Sequence, residues 1–179
     1  KPPKLYDLTT LQREANRYFG YTAKQTLDYT QKLYEAKLVT YPRTDSQYLT
    51  EDMESSTLAI VSALCSQMPF TVNMDFTPNI RHAVDNKKVS DHHAIIPTMG
   101  STKAEIKSLS IEERAVYYLI AQRLLCASAE PMRYMERSIT AECEGATFTA
   151  KGKTVLHKGW TAIEEAFSSF ATAKKKKDE

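Results

Sequence analysis

Apolar side chains recur at helical spacing from the start of the chain. Leu8, Leu11, Ala15, Tyr18 and Phe19 share one face, with Thr9 or Thr10 as the cap and Gly20 as the stop. Thr22-Ala23-Lys24-Gln25 is a capping box that opens a second helix running to Ala36, with Leu27, Thr30, Leu33 and Tyr34 on its inner face. Two helices joined at Gly20-Tyr21 have a helix-turn-helix order. Leu38-Val39-Thr40-Tyr41-Pro42 follows as a short strand, which makes the order winged-helix-like. Thr50, with Glu51 and Asp52 in the first turn, caps a third helix whose core face is Met53, Thr57, Ile60, Val61, Leu64 and Met68. Residues 69–88 form a long excursion with weak strand character, and residues 87–98 have no clear period. Thr102-x-x-Glu105 and Ser110-x-x-Glu113 are two further capping boxes, the second opening a helix that ends before Pro131. Beyond it the period changes. Ile139, Ala141 and Cys143 alternate, Gly145 turns the chain, and Ala146, Phe148 and Ala150 alternate back as a hairpin. These elements predict an α+β fold: a mainly helical body followed by strands that belong to a second domain.

Composition changes this picture little. A chain of 179 residues with 42% hydrophobic and 26% charged residues is globular. No apolar run approaches the ~20 residues of a membrane helix, and the start "KPPKLYDL" lacks the apolar core of a signal peptide. The first residue is Lys1, so a piece of a longer protein is expected. Cys65, Cys126 and Cys143 each fall within an apolar pattern, which predicts reduced core thiols of a cytoplasmic protein. No CxxC pair suggests zinc.

Charge matters more by place than by sum. The formal net charge is +2, and the body without residues 174–179 is neutral. Residues 1–50 carry eight basic and five acidic side chains, residues 81–103 four and two, and residues 51–80 none against four. The positive excess therefore sits in the two segments that hold the unusual motifs, which favours a local phosphate-facing site. The Lys174–Lys177 run is expected to be a solvated, disordered tail.

The candidate chemistry lies in "LVTYPRTDSQYL", residues 38–49. Pro42 biases Tyr41 towards an extended conformation, and in an extended segment residues two apart point to one face. Tyr41 and Arg43 should then project together, a phenol beside a guanidinium fork suited to phosphate oxygens. This is what a tyrosine attacking a phosphodiester needs, although the same pair also fits ordinary packing on a strand edge. A phenol titrates near pH 10, so about one in a thousand is ionised at neutrality. A neighbouring cation moves a pKa by ~1–3 units at most. Arg43 alone does not close that gap.

The run "QKLYEAKLVTYPRTDS" (31–46) resembles the active-site segment of the type IA DNA topoisomerases, and "DHHAIIPT" (91–98) resembles that family's second motif. Pro42 and the paired His92-His93 bring the likeness nearer to the bacterial topoisomerase III branch, and "TTLQREA" (9–15) and Gly159-Trp160 agree in order and spacing. The resemblance implies a winged-helix-like, CAP-like domain over 9–131, a partial β arch domain from 1–8 and 132–170, and a disordered tail at 171–179. It implies that Tyr41 is the nucleophile, keeping the 5′-phosphate of a broken single strand as a phosphotyrosine ester whose stored energy permits resealing. Arg43 would hold the scissile phosphate, and His92 would contact the DNA beside it. Gln31, Glu35, Thr40, Thr44, Asp45, Lys88 and His93 are the candidate DNA-contacting residues, and Gln31 and Glu35 also fit a plain helix surface, Thr44 and Asp45 a turn.

The family's magnesium-binding carboxylates belong to a separate acidic domain, and no Asp-x-Asp cluster occurs here. Mg2+ is thus expected outside this segment, with single-stranded DNA and the remaining domains of the same enzyme as partners, no membrane, and a bacterial cytoplasmic, nucleoid-associated location. Two other classes stay open on the residues alone: a non-catalytic winged-helix DNA-binding module reading bases through residues 23–36, and a partner-binding module whose motifs only pack.

Overall fold

The computed structural model describes residues 1–71 and 77–175, with side chains through residue 172. Its elements are helices α1 (Leu8–Phe19), α2 (Ala23–Glu35), α3 (Glu54–Gln67) and α4 (Ile111–Ser128), strands β1 (Arg133–Cys143) and β2 (Ala146–His157), and helix α5 (Trp160–Lys175). Single-turn 3-10 helices punctuate the long connection between α3 and α4. The fold is α+β, as the sequence predicts.

Local signals set most helix ends. Gly20 closes α1 in the left-handed conformation at φ 73°, and its N–H bonds Asn16 O at 2.8 Å. Thr22/Gln25 and Ser110/Glu113 form the two reciprocal capping boxes of α2 and α4. Two caps differ from expectation. The cap of α1 is Asp7, whose Oδ1 accepts from Thr10 N at 2.7 Å, while the Thr10 hydroxyl accepts from Asp7 N. A carboxylate one step before the apolar face outcompetes the threonines within it. The Thr102-x-x-Glu105 box does not form; Thr98 caps a 3-10 helix at Met99–Lys103 instead. Thr50 leads into a 3-10 turn, Glu51–Met53, before α3.

α4 is the axis of the body. Val116, Tyr117, Leu119, Ile120, Ala121, Leu124, Leu125 and Cys126 are buried around its circumference, and it touches α1, α2, α3 and α5. Such a helix buries all faces rather than one stripe. Arg123 on α4 donates to Tyr6 Oη at 3.1 Å, its guanidinium lies 4.3 Å from that ring, and Glu14 of α1 is 3.6 Å away. Burial pushes the Tyr6 phenol well above the usual range, against the pull of Arg123. The group therefore stays a neutral, buried peg.

Two stretches that the resemblance assigns to the adjoining β domain pack against this body. Leu5 and Tyr6 are buried, and Tyr6 bridges Ile95. Residues 160–175 are helix α5, with Ile163 and Phe167 buried; Phe167 meets Tyr18 and Phe70 edge-on, each at 5.2 Å between centroids. The first residues of the expected tail, 171–175, complete α5, and 176–179 lie outside the described residues.

The hairpin is as expected in register, with Ala141 opposite Phe148 and Cys143 opposite Ala146. Both faces are open, and Ile139 (69%) and Phe148 (62%) are among its exposed side chains. Cys143 is consequently exposed, not a core thiol; Cys126 is buried, with its thiol pushed up to about 12 by desolvation, and Cys65 is half-buried.

The hairpin leaves the body at Pro131 and returns at Gly159, and Trp160 N bonds Glu130 O at 2.8 Å. Gly159 has φ 53°, and a Cβ there would overlap Glu130 O and sit 2.6 Å from the Pro131 carbonyl carbon. Both obstacles are backbone atoms pinned by that hydrogen bond. Gly159→Ala should therefore cost about 2–4 kcal/mol, combining left-handed strain with overlap. A urea-unfolding midpoint equal to wild type would show that the two crossing strands separate freely.

Candidate active site

Four stretches of chain without regular secondary structure meet at one side of the body, held by single bridges. Val39 pairs Pro97, Tyr6 pairs Ile95, and Leu49 pairs Val84. Thr40 is the densest node. Its N–H donates to Ile96 O at 2.9 Å, its hydroxyl donates to Ala94 O at 3.0 Å, and the same hydroxyl accepts from Ile96 N at 3.0 Å. Thr44 repeats the device: its hydroxyl donates to His92 O at 2.9 Å and accepts from Ser46 N, while its carbonyl takes Leu8 N. Ser46 Oγ donates to Lys88 O at 2.7 Å, and Ala94 N reaches Tyr48 O at 2.9 Å. The 38–49 run is thus sewn to 88–98 through Thr40, Thr44, Ser46 and Tyr48.

That stitching sets the faces. Pro42, Thr44 and Ser46 are buried, whereas Tyr41 is half-buried and Arg43 and Asp45 are exposed. The chain bends at Pro42, and the alternating burial leaves Tyr41, Arg43 and Asp45 on the open side. The buried side holds the proline ring and the two hydroxyls that reach the second segment.

The Tyr41 ring lies against the His92 ring, centroids 4.2 Å apart and tilted by 39°. Tyr34 meets it edge-on at 5.4 Å. Tyr34, read from periodicity as a core residue of α2, is exposed at 39%, and its turn of helix places it against Tyr41 instead. Sequence reasoning missed this neighbour because a residue at the margin of an apolar stripe reads as part of it. Among the described residues no carboxylate lies within ion-pair distance of Arg43. The guanidinium is open to a ligand.

The other candidates divide. His93 is half-buried and turned to the backbone, with Nδ1 2.9 Å from Ala94 O. Gln31 and Glu35 bond each other at 3.0 Å on the outer face of α2, apart from the Tyr41–His92 pair. Lys88 sits with Asp85 and Tyr48 at the far end of the run. Thr40 and Thr44 spend their hydroxyls inward. The arrangement offers a phenol, an imidazole and a free guanidinium on one open surface, backed by a hydrogen-bonded frame. It is suited to holding a phosphate against the phenol oxygen.

The family model described as DNA topoisomerase matches residues 1–179. DNA topoisomerase 3 of Bacillus licheniformis is 45% identical over 176 residues, covering 90% of this chain and 23% of that protein. DNA topoisomerase 3 of Bacillus subtilis is 45% identical over 166 residues, with the same coverage. The chain spans about a quarter of the length of the curated relatives it matches. Full-length topoisomerase I from Thermotoga maritima shares the fold at a TM-score of 0.64 and 21% identity, over 90% of this chain and 27% of that one.

Proposed function

The chain belongs to the type IA DNA topoisomerase family, and on that premise we propose that it carries the nucleophile of a single-strand cleavage and religation reaction. The observation that supports this best is the Tyr41–His92 ring contact on an open face shared with Arg43. In this reading Tyr41 Oη attacks a backbone phosphorus, the P–O3′ bond breaks, and the 3′-hydroxyl leaves with a proton. The 5′-phosphate stays on Tyr41 as an ester. Attack by the 3′-hydroxyl reverses the step, so resealing needs no external energy source. Arg43 neutralises charge on the phosphate oxygens as it develops, and His92 holds the strand or the leaving oxygen. Thr40 and Thr44 act as positioning residues. Gln31, Glu35 and Asp45 border the path of the strand, with His93 supporting it from beneath.

Among the described residues no three His, Cys, Asp or Glu side chains converge where a metal ion could sit. In this reading Mg2+ is bound by the remainder of the enzyme. No described helix is long and apolar enough to cross a membrane. The helical body, residues 5–131 with 159–175, is read as the cleavage domain and the hairpin as part of an arch. The enzyme would work in a bacterial cytoplasm, at the nucleoid, on single-stranded DNA.

The polarity of the ester provides the test. A full-length topoisomerase carrying this segment, trapped with denaturant on a single-stranded oligonucleotide, should retain a 3′-end label and release a 5′-end label. Retention of the 5′-end label would refute the assignment. The isolated 179-residue chain with magnesium should cut nothing, because about 4 kcal/mol is needed to ionise a phenol at neutral pH and a neighbouring cation supplies only part of it. An adduct formed by the isolated chain would show that its own groups suffice.

A further inference from the structure

Three residues distant in sequence meet at the end of the 38–49 run. Lys4 Nζ lies 5.2 Å and Lys88 Nζ 4.6 Å from the centroid of the Tyr48 ring. The two cations lower the pKa of the Tyr48 phenol, Lys4 more strongly than Lys88. Among the described residues Asp85 is the one carboxylate in ion-pair contact with either cation, 2.8 Å from Lys88 Nζ. Two cations thus face one anion.

The cluster is anchored from behind. Lys4 precedes the buried pair Leu5 and Tyr6, and Ile95 N donates to Tyr6 O at 2.8 Å. The Lys88 carbonyl is held by Ser46 Oγ, and the Tyr48 carbonyl by Ala94 N. The same stitches that present Tyr41 therefore fix the backbones of all three residues. Bringing two ammonium groups to one ring costs repulsion, which the ring face and Asp85 offset only in part. The Asp85–Lys88 pair is exposed and holds little energy, so an incoming anion can replace it.

Resting on the reading that this segment holds single-stranded DNA, we propose that Lys4, Tyr48 and Lys88 form a second phosphate seat, for a backbone phosphate distant from the one at Tyr41. A phosphate there would accept from both ammonium groups and from the phenol O–H. Seven residues of chain separate Tyr48 from Tyr41, at most about 25 Å. One strand lying along the run would meet both positions, so the seat would set the direction and register of the strand at the nucleophile.

The experiment is a salt titration of this chain with a labelled oligothymidylate long enough to span both positions. Variants are the double substitution Lys4→Gln with Lys88→Gln, and Lys158→Gln, which removes a charge paired to Glu165 on α5. The double variant should bind more weakly and flatten the slope of log K against log salt by about 0.7, the value for one phosphate contact on a single strand. Lys158→Gln should leave the slope alone. Inorganic phosphate that competes beyond its ionic strength in wild type only would mark a seat that free phosphate fills as well. Equal competition in both proteins, together with the flattened slope, would mark a seat that requires the strand. Wild-type binding with an unchanged slope in the double variant overturns the seat but not the DNA reading. Absence of any wild-type binding overturns both.

Discussion

Replacing Tyr41 with Phe in a full-length topoisomerase carrying this segment should abolish the covalent protein–DNA adduct and leave the fold and strand binding nearly unchanged. Loss of a nucleophile that acts as part of a unit lowers turnover by at least about 10^4-fold. The substitution removes one oxygen. The ring contacts to His92 and Tyr34 remain, and no described residue hydrogen-bonds the Tyr41 hydroxyl, so the stability change should stay within about 0.5 kcal/mol. Two other tyrosines stand nearby, Tyr34 across the ring and Tyr48 farther along the run. Tyr34→Phe and Tyr48→Phe should each keep the adduct. Denaturing gels with an end-labelled strand read all three variants, and an adduct that survives in Tyr41→Phe but disappears in either of the others would move the nucleophile.

The sequence announced this site because its chemistry is packed into short runs. Pro42 constrains its neighbours by its own ring, and open Tyr41, Arg43 and Asp45 alternate with buried Pro42, Thr44 and Ser46 as the run suggests, although the chain bends at Pro42. The caps of α2 and α4 were readable for the same reason, since a capping box is complete within four residues. What escaped depends on contacts across the chain. Thr40 and Thr44 look like groups aimed at a ligand until residues 92–96 take up their hydroxyls. Nothing local distinguishes a threonine that meets substrate from one that ties two segments together.

Helix α5 shows a different failure. Strand alternation is clear up to Leu156, and Gly159-Trp160 carries a family likeness, so the helical spacing of Ile163 and Phe167 was absorbed into an expected sheet. The helix is decided by tertiary contacts: Phe167 fills the gap between Tyr18 and Phe70, and Gly159 lets the chain cross Glu130 and Pro131 closely. The Lys4–Tyr48–Lys88 cluster was similarly invisible, because its members stand 44 and 40 positions apart in the sequence. The apolar alternation of the hairpin, by contrast, was legible and still misleading about burial, since alternation reports a face meant for cover and not the cover itself.

The two histidines of the second motif should separate in the full-length enzyme. His92 is exposed, and its ring rests 4.2 Å from that of Tyr41. His93 is half-buried, and its Nδ1 meets the neighbouring carbonyl of Ala94 at 2.9 Å. His92 ends a bend with its ring on Tyr41, and His93 follows with its ring turned to the backbone, so on the proposed reading one ring can meet the phosphate and the other cannot without turning the segment. On the proposed reading His92→Ala removes a group that would touch the reacting phosphate or its leaving oxygen, and such contacts are worth about 10²–10³ in rate. It should cost little stability, because the ring is open to solvent. His93→Ala removes a ring that fills space beneath the strand and bonds the backbone. It should lower stability by about 1 kcal/mol and slow cleavage less than tenfold. His92→Gln, which keeps a donor near the same place, should recover part of the lost rate, whereas a purely structural ring would not be replaced in this way. Single-turnover cleavage paired with urea unfolding on the same three variants gives both readouts. Equal rate losses at the two positions, or a larger loss in His93→Ala at unchanged stability, would assign the phosphate contact to the other ring.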